Sequence, residues 1–190
     1  VVASYLVIDG STESGYDENG PRVILKNGGG VTNGFKLETS NITLKGIVID
    51  GFENDGIYIG LEGSEVELVN NRIYNNGGNG VFSIAAGDLM IEDNVVCYNT
   101  GNGLQLVNNS NNNTVLNNHI GFLPDGTGAK NTGVSGLYIQ GLSNTIDGNK
   151  IGAQTLCINL DGSDHVVINN YVGVHTSGSA EGTVSPGIYI

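Results

Sequence analysis

Tyr58, Phe82, Tyr138 and Tyr189 each stand third in a short run where aliphatic residues alternate with something else. These runs are Gly56-Ile57-Tyr58-Ile59, Gly80-Val81-Phe82-Ser83, Gly136-Leu137-Tyr138-Ile139 and Gly187-Ile188-Tyr189-Ile190. Gly103-Leu104-Gln105-Leu106 puts Gln105 in that place, Gly34-Phe35-Lys36-Leu37 puts Lys36 there, and Thr155-Leu156-Cys157-Ile158 puts Cys157 there. Glu38, Gln140 and Asn159 lie one step further along the same alternation. Aromatic rings stack on the apolar faces of sugars, and Gln and Asn side chains hydrogen-bond to hydroxyl groups. The chemistry such a series supports is carbohydrate binding, with Tyr58, Phe82, Gln105, Tyr138, Gln140 and Tyr189 as the contacts. The competing reading is plainer: the rings stack on one another and shield the strands from water.

Other reactive side chains do not gather. Asp161-Gly162-Ser163-Asp164-His165 looks like a metal or acid–base cluster, but it falls where a turn between two strands is expected and short polar residues serve the backbone. His119, His165 and His175 fall at different phases of the repeat, which argues against zinc. Asp125, in Asp125-Gly126-Thr127-Gly128, could hold Ca²⁺ with help from backbone carbonyls, although a tight site needs several carboxylates. No other cofactor is called for. Glu62, Glu65, Glu67, Glu92 and Asp93 read as a solubilising surface that discourages edge-to-edge pairing. Cys97 and Cys157 sit in different repeats and phases, so no disulfide between them is expected.

The alternating runs must be held in line by the rest of the repeat. Asn71, Asn94, Asn118, Asn149 and Asn170 each stand two residues before Ile or Val, at intervals of 23, 24, 31 and 21 residues. A recurrence of this length marks stacked units rather than one globular core. An Asn returning at the same turn can hydrogen-bond to its counterparts above and below, satisfying amides that would otherwise cost about 1–3 kcal/mol each. Between each alternating run and its Asn lies a second short strand, such as Ile42-Thr43-Leu44, Val66-Glu67-Leu68 or Thr114-Val115-Leu116, and a third follows the Asn. Three short strands per coil, with like strands pairing in parallel about 4.8 Å apart, describe an all-β, single-stranded parallel β-helix of about six full coils. In the first full copy Ile47 takes the Asn place, so the ladder starts one coil later. Residues 1–33 read as a partial or capping coil and 34–190 as the continuous repeat. Gly121 to Ser135 and Gly173 to Pro186 read as surface loops on one edge of the stack.

Composition sets outer bounds. The 190 residues carry Lys+Arg 7 against Asp+Glu 19, a formal net charge of −12. So acidic a chain is a poor partner for nucleic acid or an anionic membrane. No segment approaches the roughly 18 apolar residues of a membrane span. With no leader visible and no Met at position 1, the sequence reads as a piece of something longer.

The Asn-x-Ile repeats, together with Val7-Ile8-Asp9-Gly10-Ser11-Thr12 through Gly15-Tyr16 and Asn118-His119-Ile120-Gly121, carry a family likeness. The chain resembles right-handed parallel β-helix proteins of the pectate-lyase-like superfamily, most of all the β-helix regions of large bacterial surface and secreted proteins. That resemblance implies an extracellular or cell-surface location. It also implies that any groove lies on the outward face of the first strand of each coil. The fold hosts lyases, hydrolases, epimerases, adhesins and scaffolds, so it does not choose among them. A polygalacturonase-like hydrolase would need paired carboxylates on that face, about 6.5–9.5 Å apart for inversion. The series offers only Lys36 with Glu38, which reads as a solvated pair on an end coil. A pectate-lyase-like mechanism would need a strong base such as Arg beside Ca²⁺, yet Arg22 and Arg72 both fall outside the series. The preferred reading is a non-catalytic structural or adhesive module with carbohydrate contact. A carbohydrate-active enzyme with active residues partly outside this sequence, and a fibre subunit that stacks end to end, are the alternatives.

Overall fold

The computed structural model describes residues 5–13, 20–21, 23–84, 86–125, 131, 133–152, 155–173 and 187–190. Its strands form three seven-stranded parallel sheets, each made from every third strand in chain order. The first sheet contains Phe35–Leu37, Ile57–Ile59, Val81–Ile84, Leu104–Val107, Ser135–Leu142, Leu156–Ser163 and Ile188–Tyr189. The second contains Leu6–Asp9, Ile42–Lys45, Val66–Val69, Met90–Glu92, Thr114–Leu116, Thr145–Asp147 and Val166–Ile168. The third contains Val23–Lys26, Ile47–Asp50, Arg72–Tyr74, Val95–Cys97, His119–Ile120, Lys150–Ile151 and Tyr171–Val172. The chain therefore winds as a right-handed parallel solenoid of about six turns.

A single residue bends the chain between the second and third sheets, and it sits in the left-handed region: Gly46, Asn70, Asp93, Asn117, Gly148 or Asn169. Asn, Asp and Gly reach that conformation with the least strain, which explains the doublets Asn70-Asn71, Asn117-Asn118 and Asn169-Asn170. The bend aims the following side chain inward. There Asn71, Asn94, Asn118, Asn149 and Asn170 form the ladder, each of the first four donating its side-chain amide to the next carbonyl oxygen at 3.0–3.1 Å. Each of those carbonyl oxygens also accepts a backbone N–H from the coil before it. Ile47, in the ladder's place one coil earlier, donates its backbone N–H to Asn71.

Two further buried ladders occupy the other corners. Asn76, Asn99 and Asn131 stack where the third sheet turns toward the first, with 2.9 and 3.0 Å between successive side chains. Asn113 and Asn144 stack where the first sheet turns toward the second, 2.8 Å apart. His165 is the next rung there, and its Nδ1 takes the backbone N–H of Asn144. The same one-residue bend precedes this corner, at Asn112, Ser143 and Asp164.

Between the corners the interior is aliphatic. Leu44, Leu68, Ile91, Val115 and Ile146 stack inside the second sheet, and Ile49, Ile73, Val96, Ile120 and Ile151 inside the third, all buried. Burying such side chains stabilises by about 1.5–3 kcal/mol each. Ser83 breaks the stack inside the first sheet, between Ile59 and Leu106, and its hydroxyl is buried without a hydrogen-bond partner.

The N-terminal segment supplies two in-register strands: Leu6–Asp9 pairs with Ile42–Lys45, and Val23–Lys26 with Ile47–Asp50. Two expected boundaries move. Ser135 belongs to a strand rather than a loop, and Asp161–Ser163 continue a strand rather than forming a turn, because Gln140, Gly141 and Leu142 on the neighbouring coil offer them a pairing edge. Gly15 and Tyr16, Arg22, residues 126–130 with Gly126 to Gly128, and residues 174–186 with His175 lie outside the described residues.

Candidate functional site

The outward face of the first sheet is built by register. Lys36, Tyr58, Phe82, Gln105, Tyr138, Asn159 and Tyr189 stand opposite one another on successive strands. The row runs along the solenoid axis with about 4.8 Å per rung. A row of glycines holds the strands at a common level, and Gly56 shows why. A Cβ there would come within 2.5 Å of an Ile73 methyl carbon and 2.8 Å of the Gly80 carbonyl oxygen.

One expected member of the row is corrected. Cys157 lies between the paired positions Ser135–Leu156 and Leu137–Ile158, level with Gly136, and is buried among core residues. Asn159 takes the place opposite Tyr138. Because Cys157, and not Thr155, takes the place of the marker glycine, alignment on Thr155 slips by two residues. Cys97 is also buried, and burial pushes its thiol up to about 12; no disulfide joins the two cysteines.

At one end of the row the side chains pair with each other. Tyr58 and Phe82 have ring centroids 5.7 Å apart and planes tilted by 35°. The Lys36 ammonium lies 5.8 Å from the Tyr58 ring centre and 2.7 Å from the Glu38 carboxylate, whose hydrogen bond raises the lysine pKa. The Tyr58–Phe82 contact is the ring-on-ring pairing that shields the strands from water.

In the middle, Gln105 accepts a hydrogen bond from the Asn102 amide at 2.8 Å. Asn102 ends a fourth row, in which backbone and side-chain groups of Asn33, Asp55, Asn79 and Asn102 link successive coils. At the far end, Gln140 accepts the Asn108 backbone N–H at 3.1 Å and donates to the Asp161 carboxylate at 3.1 Å. Gln140 and Asp161 help line a groove of about 530 Å³ with Asn108, Asn109, Gly141, Leu142 and Gly162. Asp161 is the site residue that the sequence reading missed. The signal was present, because Ile158-Asn159-Leu160-Asp161 continues the two-residue alternation beyond the point where a turn was placed.

The remaining candidates stay apart. His119 lies on the third sheet, facing Lys150 across the pairing, and burial lowers its pKa. His165 belongs to a corner and is lowered for the same reason. Arg72 is on the third sheet, away from the row. Glu67 accepts the Thr43 hydroxyl on the second sheet. Among the described residues no three His, Cys, Asp or Glu side chains converge as metal ligands. Among the same residues no helix is long and apolar enough to cross a membrane.

Residues 17–120 match the family model described as a right handed beta helix region. The structure is similar to pectate lyase Pel9A, with a TM-score of 0.64 and 17% identity over 89% of this chain and 48% of that one. It is similar to an alginate lyase from Paenibacillus sp., with a TM-score of 0.66 and 16% identity over 96% of this chain and 71% of the other. DFA-IIIase from Arthrobacter chlorophenolicus follows at 0.53 and 17%, over 80% and 45%. Identities this low speak for the shared fold. The chain spans about half the length of the pectate lyase and of DFA-IIIase. No curated protein matches it in sequence.

Proposed function

Starting from the fact that this chain belongs to the right-handed β-helix family, we propose that it is a non-catalytic carbohydrate-binding module, lying outside the cell or on its surface, whose ligand runs along the outward row of the first sheet. The observation that carries the proposal is the register of that row: the rings of Tyr58 and Phe82 stand on consecutive coils, followed by Gln105, Tyr138, Asn159 and Tyr189, in which amides alternate with rings. A glycan laid parallel to the axis meets a stacking surface and then a hydrogen-bonding group as it advances. Two of the parallel β-helices named above are a pectate lyase and an alginate lyase, which favours a glycan over other extended ligands.

The face is suited to holding rather than cleaving. Among the described residues its two carboxylates are Glu38, just after the strand Phe35–Leu37, and Asp161, on a strand five places away in the sheet. That separation is roughly 24 Å by strand spacing, far beyond the reach of a cooperating acid and base. Binding to a panel of soluble polysaccharides, compared with Tyr58→Ala and Tyr138→Ala, tests the proposal. Each substitution weakens binding by about tenfold, the value of one lost ring contact. Unchanged binding in both variants removes the row from consideration, and steady depolymerisation of any panel member overturns the non-catalytic half.

A further inference from the structure

Resting on the carbohydrate-binding reading, we infer that this face takes an uncharged glycan and discriminates against uronate polymers. The argument is one of charge placement. Among the described residues the cationic side chains are Lys26, Lys36, Lys45, Arg72 and Lys150. Lys26, Arg72 and Lys150 lie on strands of the third sheet and Lys45 on the second. Lys36 alone belongs to the first sheet, at its edge, and Glu38 neutralises it at 2.7 Å. From Tyr58 to Tyr189 the row presents rings and amides without a positive charge.

Asp161 adds a negative charge in the groove. Its carboxylate accepts the Gln140 amide at 3.1 Å, and among the described residues no lysine or arginine comes within ion-pair distance of it. Gln140 is itself fixed by the Asn108 N–H, so the carboxylate is held at the groove wall and keeps acceptor capacity for a ligand. Sugar hydroxyls donate to a carboxylate in charge-assisted hydrogen bonds. A uronate brings a second carboxylate to the same place, into the field of a chain with net charge −12. Neutral hydroxyl-rich chains therefore gain from Asp161, whereas polyanions are repelled by it.

The experiment uses the intact chain and four length-matched oligosaccharides: two neutral (a β-glucan and a xylan) and two anionic (an oligogalacturonate and an oligoalginate), each titrated at low and at high salt. At low salt the neutral ligands bind at least about tenfold more tightly, and the gap narrows in high salt as repulsion is screened. Asp161→Asn keeps the shape of an exposed side chain, weakens the neutral ligands several-fold and leaves uronate binding unchanged or improved. Tighter uronate binding at low salt, or a loss of uronate binding in Asp161→Asn, overturns the inference while the binding module stands. Absence of binding in all four arms overturns both.

Discussion

The corners of the solenoid and the outward face of its first sheet are built from the same repeat, yet they treat amides in opposite ways. At the corners successive coils place inward Asn residues in line with one another. Asn118, for example, accepts from Asn94 and donates to Asn149 and to the carbonyls of Ile91 and Leu116. On the face the residue changes from rung to rung: Lys36, Tyr58, Phe82, Gln105, Tyr138, Asn159, Tyr189. Repetition serves stability, because a buried amide needs hydrogen-bond partners and a like amide on the next coil supplies one. On the face, where water can satisfy polar groups, no such matching is required. What sets this row apart from the corresponding positions of the other two sheets is its set of rings and amides in register.

The comparison breaks most visibly at the centre of the ladder. Asn118→Ala removes an acceptor and the donors that satisfy neighbouring backbone groups, and is expected to destabilise the chain by at least about 3 kcal/mol. Chemical denaturation measures it, and a loss below about 1 kcal/mol would mean that the ladder is incidental to the fold. Ser83→Val works in the other direction. A hydroxyl buried without a partner between Ile59 and Leu106 gives way to an aliphatic group, and the denaturation midpoint should rise by the equivalent of about 1 kcal/mol. A drop would show that the aliphatic stack has no room there.

The smallest effect depends on pH. Asp55 fills an Asn place in the row of Asn33, Asn79 and Asn102, accepts both the backbone N–H and the amide of Asn79, and has its pKa raised above 3.8, chiefly by burial. A raised folded value means that its stabilising contribution is complete below 3.8 and is lost as pH climbs through that raised value. Asp55→Asn restores an amide donor toward Asn33 and has no such titration. The variant is therefore expected to gain about 1 kcal/mol over the parent at neutral pH, with the gap closing as pH falls toward the ordinary Asp range. A gap independent of pH would contradict the assignment.

Much of the fold was legible because one ladder leaves a mark in sequence: Asn followed two places later by Ile or Val. The other two ladders carry no such mark. Asn76 and Asn99 are followed by Gly- and Thr-rich turns, and Asn131 is reached only after an insertion, so their common corner emerges from hydrogen bonding alone. The site was legible for the same reason as the first ladder, since a two-residue period separates inward from outward positions. It failed at one coil. Cys157 takes the place of the glycine that marks each strand, and Leu156–Ser163, like Ser135–Leu142, has eight residues where the earlier strands of the sheet have three or four. The aligned place consequently shifted from Asn159 to Cys157, and Asp161 was taken for a turn residue. Charge placement, on which the ligand class depends, needed the three sheets to be told apart.

The central claim is that the outward row of the first sheet is where a glycan lies. A crystal structure of the chain bound to a neutral oligosaccharide tests it most directly. The account predicts sugar rings running parallel to the solenoid axis across Tyr58, Phe82 and Tyr138, with hydroxyl groups within hydrogen-bonding distance of Gln105 and Asp161. A sugar ordered on the second or third sheet, with the row of rings left bare, would contradict it.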